Sequence, residues 1–308
     1  MGFRQSGILV LRLSALGDVI HTIPAVVALR SQGAEVAWVV ERPYRELVEI
    51  VAEVRAIPVS MKRWGGSLFA SRAEIRATLR AMRGFGASVD FQSLVKSAAL
   101  AWVALTPARF GFERAAIRER PALLFTNRRI AVDTTRHVVE WNLELAGGVA
   151  GRPLPMPAVD FSRFPDGPGF EHAIVLLPGA GRANKQWPVE RFRELARRIG
   201  ERALTAWGPG EEELALGVSA RLAPPTNLRQ LASVLQAADL VIGGDTGPLH
   251  LAAALGTKVI GLYGPTSEKR NGPYGQLQHC ISTFEGAKTM EAIEVDDVMR
   301  KMVEVLGP

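Results

Sequence analysis

Apolar positions fall in short, dense runs separated by amphipathic stretches, and the alternation repeats along the chain. The run Ile8 to Leu13 predicts a buried strand, followed by the loop Ser14-Ala15-Leu16-Gly17-Asp18 and a helical pattern to about Ser31. Pro24 is expected to start a turn or kink that helix. A second strand over Glu35 to Val40 completes a β-loop-α-β unit, the seed of a parallel sheet. Ala56–Val59, Ala87–Phe91 and Ala108–Phe112 read as further strands, with a helical segment over Arg72–Arg83.

From about Gly147 to Phe170 the pattern stops. Pro153, Pro155, Pro157, Pro165 and Pro168 lie among glycines, a composition that predicts a linker without regular elements. The alternation then resumes with strands at Ile174–Leu177, Ala203–Ala206, Leu240–Ile242 and Val259–Tyr263. Helices are predicted over Val189–Ile199, Glu211–Arg221, Leu228–Ala237 and Pro248–Leu255, and an amphipathic one over Asp296–Val305. The prediction is an α/β protein with two domains, 1–160 and 161–290, and a terminal helical segment, 291–308. Two such units joined by a hinge place a small-molecule site in the cleft between them.

Charge sharpens this picture. Residues 1–160 hold 21 Lys/Arg against 14 Asp/Glu, and residues 161–308 hold 16 against 17, so the net +6 resides in the first half. That half is expected to meet an anionic partner: a nucleic acid, a membrane surface or a phosphorylated substrate. Cys280 is the single cysteine, which excludes an internal disulfide and fits a reducing compartment. Neither Ile8–Leu11 nor Ala98–Leu105 is long enough for a signal core or a membrane span, so the expected location is cytoplasmic.

Ligands of parallel sheets bind at the carboxyl ends of strands, so the post-strand loops carry the chemistry. Pro178-Gly179-Ala180-Gly181 lets a diphosphate approach the backbone, with Lys185 as a mobile positive charge. Asn184 stands where a dinucleotide fingerprint needs its third glycine. Trp207-Gly208-Pro209-Gly210 leads into Glu211, Glu212 and Glu213, of which Glu212 is the candidate for ribose hydroxyls; favourable charge at a helix start is the plainer reading. Gly243-Gly244-Asp245-Thr246-Gly247-Pro248-Leu249-His250 opens a helix whose free N–H groups suit a diphosphate. There Asp245 either caps the helix or orients a sugar hydroxyl, and His250 either reaches the ligand or is a core histidine. Gly264-Pro265-Thr266-Ser267 adds hydroxyls. In the first half Asp18 is either a helix cap or a general base for an acceptor hydroxyl. The histidines are scattered and no Asp-x-Asp occurs, so no metal site and no cofactor is predicted.

Arg12-Leu-Ser-Ala-Leu-Gly-Asp-Val-Ile-His-Thr-Ile-Pro24, Lys185-Gln-Trp-Pro188, Gly244-Asp-Thr-Gly-Pro-Leu-His250 and Tyr263-Gly-Pro-Thr266 together resemble the lipopolysaccharide heptosyltransferase family. Gln92-Ser-Leu-Val-Lys-Ser-Ala98 and Ile117-Arg-Glu119 fit its heptosyltransferase I type. The resemblance runs from about residue 8 to about 275. It implies a GT-B fold, two Rossmann-like domains with parallel sheets facing across a cleft, and a C-terminal helix that packs back on the N-terminal domain. It also implies inverting, metal-independent transfer of L-glycero-D-manno-heptose from ADP-heptose to the Kdo inner core on lipid A. By the same resemblance Asp18 is the catalytic base. Lys185, Glu212, Asp245, Thr246, Gly247 and His250 bind the donor, and Lys62, Arg63 and Arg118 are candidates for the anionic acceptor. A place at the cytoplasmic face of the inner membrane follows from the same source; a monomer is the default, and scattered arginines without a recognised nucleic-acid module predict no nucleic-acid partner. The sequence departs from the family at Gly65-Gly66, where a denser basic cluster is usual, and at Ala180-Gly181, where hydroxyl residues are usual. Other readings stay open: a glycosyltransferase of another nucleotide sugar or acceptor, a nucleotide-linked oxidoreductase or epimerase, and a non-enzymatic protein binding anionic surfaces.

Overall fold

The computed structural model describes residues 7–218 and 221–307. The chain divides into two compact units, residues 1–160 and 161–308.

The first unit runs β1 (Ile8–Leu11), α1 (Leu16–Arg30), β2 (Val36–Glu41), α2 (Arg45–Leu47), β3 (Arg55–Val59), α3 (Met61–Gly66), α4 (Leu68–Ala81), β4 (Ala87–Asp90), α5 (Val95–Val103), β5 (Ala108–Phe112), β6 (Arg128–Ile130) and α6 (Val138–Ala150). Its strands form one parallel sheet in the order β3-β2-β1-β4-β5-β6. β1 lies between two neighbours and is covered on both faces, so all four of its residues are apolar and buried. The order reverses between β1 and β4, which opens a crevice at their carboxyl ends.

The second unit runs β7 (Ile174–Leu177), α7 (Val189–Ile199), β8 (Ala203–Thr205), α8 (Glu212–Leu216), α9 (Leu228–Ala237), β9 (Leu240–Gly244), α10 (Gly247–Ala254), β10 (Val259–Tyr263), α11 (Glu268–Asn271), β11 (Ile281–Ser282) and α12 (Val295–Leu306). This sheet is also parallel, in the order β11-β10-β9-β7-β8, and its switch point lies between β7 and β9.

Three expectations change. Pro24 does not start a turn: α1 continues from Leu16 to Arg30 around it. Ile20, Ile23 and Val26 are buried and α1 packs along α6, so tertiary contact outweighs the one lost backbone donor. Gly147 and Gly148 belong to α6 rather than to the linker. A Cβ on Gly148 would stand 2.6 Å from Ile130, so glycine is there for close packing on β6. The helix expected over Glu211–Arg221 ends at Leu216, and residues 219–220 of that span lie outside the described residues. The terminal helix α12 buries Val295, Val298, Met302 and Val305 in the second unit's core, beside Phe192 and Leu195 of α7.

Candidate active site

In the first unit the site grows from the end of β1. The chain leaves the sheet at Arg12, whose carbonyl accepts from Trp38 Nε1 at 3.0 Å. The next N–H, of Leu13, donates to Gln92 Oε1 at 2.7 Å, tying this loop to the one after β4. α1 then starts without a side-chain cap at Ala15, and Asp18 sits in its first turn. Asn142 of α6 donates to the His21 carbonyl at 3.0 Å and to Thr22 Oγ1 at 3.2 Å, and Thr22 donates to the Asp18 carbonyl at 2.8 Å. The start of α1 is thus fixed from the side; the Asp18 carboxylate accepts from Ala15 N at 3.4 Å through Oδ2 and has further partners at Oδ1.

Those partners are two arginines. The buried Arg12 guanidinium pairs with Asp18 and also donates to the Phe91 carbonyl. Arg118, more exposed, pairs with the same Asp18 Oδ1 at 3.2 Å. Burial alone would raise the Asp18 pKa, but the two cations outweigh it and hold the carboxyl below its ordinary value. Behind them Asp90 is fully enclosed. It accepts from the N–H groups of Gln92 and Ser93 at 2.9 and 3.2 Å, and from Ser97 Oγ at 3.0 Å. Here burial wins over those bonds and raises the carboxyl to about 6. Two carboxylates in one crevice are therefore driven apart, Asp18 ionised at neutral pH and Asp90 a buried brace for the β4–α5 loop.

In the second unit a cavity of about 220 Å³ opens at the carboxyl ends of β7, β8 and β9. Gly179, Ala180 and Gly181 form one wall, Trp207, Gly208 and Glu211 another, and Thr246, Gly247 and Pro248 a third. The Lys185-Gln-Trp-Pro turn is pegged by Trp187, which is buried against Phe192 and donates to the Ile293 carbonyl at 2.9 Å. That anchor sets Lys185 Nζ 2.6 Å from Asp245 Oδ2. The same carboxylate takes Asn271 Nδ2 at 3.1 Å and His250 Nε2 at 3.3 Å. Burial would raise the Asp245 pKa, yet His250 and Lys185 hold it far below the usual carboxylate range. Asp245 does not cap α10. The N-cap is Thr246, which makes no capping bond, and its buried Oγ1 has no partner among the described residues. An uncapped helix start and an unsatisfied hydroxyl on one cavity wall are what an incoming diphosphate would satisfy.

Comparison with known proteins gives the family. Residues 72–299 match the model for glycosyltransferase family 9 (heptosyltransferase). The chain is 34% identical to lipopolysaccharide heptosyltransferase 1 of Escherichia coli strain K12 across 88% of this chain and 92% of that protein. It is 33% identical to the enzyme of the same description from Pseudomonas aeruginosa, over 92% and 86%. The structure of E. coli heptosyltransferase WaaC with ADP superposes with a TM-score of 0.82 at 32% identity, over 96% of this chain and 99% of that one. The chain belongs to glycosyltransferase family 9.

A family 9 enzyme of GT-B fold is thus in hand, and the expected residues can be placed on it. Asp18 and Arg118 meet. Lys62 and Arg63 do not join them: they lie on α3, after β3, where Arg63 pairs with Glu74 at 3.5 Å. Thr246 and Gly247 line the cavity, whereas Lys185, Asp245 and His250 form the ion cluster beside it. Glu212 is exposed on α8, and the glutamate that reaches the cavity is Glu211. Glu211 Oε2 accepts from Gly208 N at 2.9 Å, and its carboxylate occupies the space that a Cβ on Gly179 would need, at 2.2 Å. Thr266 and Ser267 are not among the cavity-lining residues. Asn271 and Asp90 escaped the sequence reading, which quoted Arg12 and Gln92 only within motifs and named Glu211 only beside Glu212; Arg12 had a signal of its own, as a charge ending a buried strand.

Proposed function

We propose that this enzyme moves a heptose from ADP-heptose onto the Kdo inner core of lipopolysaccharide, with inversion and without a metal ion. The observation that carries the reading is Asp18, held ionised between Arg12 and Arg118 at the switch-point crevice of the first sheet. Support for the donor comes from a second WaaC structure, with ADP-2-deoxy-2-fluoro heptose, which matches at a TM-score of 0.80 and 31% identity over 96% of this chain. Relatives named lipopolysaccharide heptosyltransferase 1 cover nearly the whole chain.

In this reading the acceptor hydroxyl attacks the anomeric carbon as the bond from that carbon to the diphosphate oxygen breaks. A single displacement from the opposite face inverts the centre. Asp18 takes the hydroxyl proton, and the departing charge falls to Lys185 and the free N–H groups at the start of α10. Arg118 has two tasks. In the empty site it lowers the basicity of Asp18; when the carboxylate of Kdo binds it, that hold weakens and Asp18 becomes the better base where it is needed.

The test is transfer of heptose from ADP-heptose to Kdo-lipid A, with and without EDTA, preceded by thermal shift with ADP, UDP, GDP and NAD. ADP-selective stabilisation and EDTA-insensitive product formation are expected. Stabilisation by NAD alone, or transfer abolished by EDTA, overturns the donor or the metal-free mechanism respectively.

A further inference from the structure

In the first unit α4 presents two unlike faces. Its inner face, with Ile75 and Leu79, packs on the core cluster that includes Met82 and Trp64. Its outer face carries Phe69, Arg72, Arg76 and Arg80, continued by Arg83 just past the helix end. The spacing of three, four and four keeps the first four on one side of the helix, and Arg83 follows it. All five are exposed, Phe69 to 77%. At 1.5 Å per residue the four arginines form a row about 17 Å long.

Nothing in the fold accounts for this row. Among the described residues, none of the four guanidinium groups has an ion-pair partner. Arg72 only lies over the Phe69 ring, 4.3 Å from its centre. Glu74, the one acid on α4, faces away toward Arg42 and Arg63. Arg80 gains from the helix C-terminus, but Arg72 and Arg76 are too far from it. On α7 the arginines are treated differently: the half-buried Arg191 pairs with Glu294, Arg197 with Glu194, and Arg198 with Glu194 and Asp296, while the exposed Arg193 donates to the Gly217 carbonyl at 2.7 Å. A surface that needed arginine only for solubility would look like α7.

The geometry points to the outer face of α4 as the surface on which this enzyme docks to an anionic lipid bilayer. The row of unpaired cations matches anionic headgroups, and Phe69 supplies the apolar side chain that enters the interface beneath them. A nucleic-acid duplex would use the cations but, with its bases stacked inside, would leave Phe69 without a role. The placement also serves the reaction: α4 follows β3 through α3 and so starts at the carboxyl edge of the first sheet, the edge that carries Asp18. The inference rests on the proposed lipid-borne acceptor.

The experiment is co-sedimentation of the full chain with vesicles of phosphatidylcholine, alone or mixed with phosphatidylglycerol, beside a duplex-DNA binding assay. Binding is expected only to the anionic vesicles and should fade as salt shortens the Debye length from about 10 to about 3 Å. Combined Arg72→Gln, Arg76→Gln and Arg80→Gln should weaken it about 100-fold, and Phe69→Ser should weaken it separately. Melting temperature and transfer to a detergent-dispersed acceptor should stay unchanged in both variants. Vesicle binding equal to wild type in these folded variants overturns the assignment. So does DNA binding that is tighter than vesicle binding and lost with the same arginines. Transfer to the dispersed acceptor without vesicle binding removes only this docking surface; vesicle binding without transfer removes the acceptor reading and leaves the surface.

Discussion

At the scale of single residues, the site is governed by how each carboxylate is paired. Asp18 is shielded, so without its cations burial would raise its pKa, and Arg12 is the buried one of the two. Activity through Asp18 needs the ionised form, which is present above its pKa and lost as pH falls through it. Arg12→Leu should therefore move the acidic limb of the kcat/KM profile upward by about one pH unit or more, while Arg12→Lys restores part of the shift. A limb that stays in place removes Arg12 as the positioning residue. Asp18→Asn, which cannot take the proton, should cut kcat about 100- to 10,000-fold with ADP affinity intact. The two adjacent glutamates separate in the same way. Glu211 faces the cavity and Glu212 faces solvent, so Glu211→Gln should weaken ADP about 10-fold or more by calorimetry, and Glu212→Gln by less than about twofold. The reverse ranking would return the ribose contact to Glu212. The sequence could not rank them, because both follow the same glycine turn and only the approach of Gly179 selects one.

Elements were legible wherever local pattern and tertiary burial agreed. The buried strands β1, β7, β9 and β10 read as apolar runs because each is covered on both faces. β6 and β11 did not, being a three-residue and a two-residue edge strand. Pro24 and Gly148 misled because each is a breaker by propensity but is held by packing between α1, α6 and β6. α12 was recognised as amphipathic, yet periodicity says which face is apolar and not what that face meets. Its four buried side chains lie in the core that also holds Trp187, the anchor of the Lys185 turn. Met302→Ala should thus cost about 2–5 kcal/mol in urea unfolding, and deleting 295–308 should abolish ADP binding along with the fold. A deletion variant that unfolds cooperatively at the wild-type midpoint would mean that α12 is dispensable to that core.

For the whole molecule, two cores and two post-strand sites divide the labour along the chain. Each of the residues lining the 220 Å³ cavity, and each partner of Asp245, belongs to 161–308. Asp18, its two arginines and the excess positive charge belong to 1–160. Donor binding should therefore survive separation. Residues 161–308 expressed alone should fold cooperatively and bind ADP within about threefold of the full chain, because a loss beyond about 0.7 kcal/mol would require a contact from the other unit. Salt should discriminate the same two halves in the intact enzyme. On the proposed reading the second unit, nearly neutral overall, holds the donor through buried, directional groups, so ADP affinity should change little as ionic strength rises. On the same reading the first unit attracts the acceptor with exposed arginines, so the acceptor KM should rise steeply over the same range. If instead ADP affinity collapses with salt while the acceptor KM stays flat, the assignment of donor and acceptor to the two units is reversed.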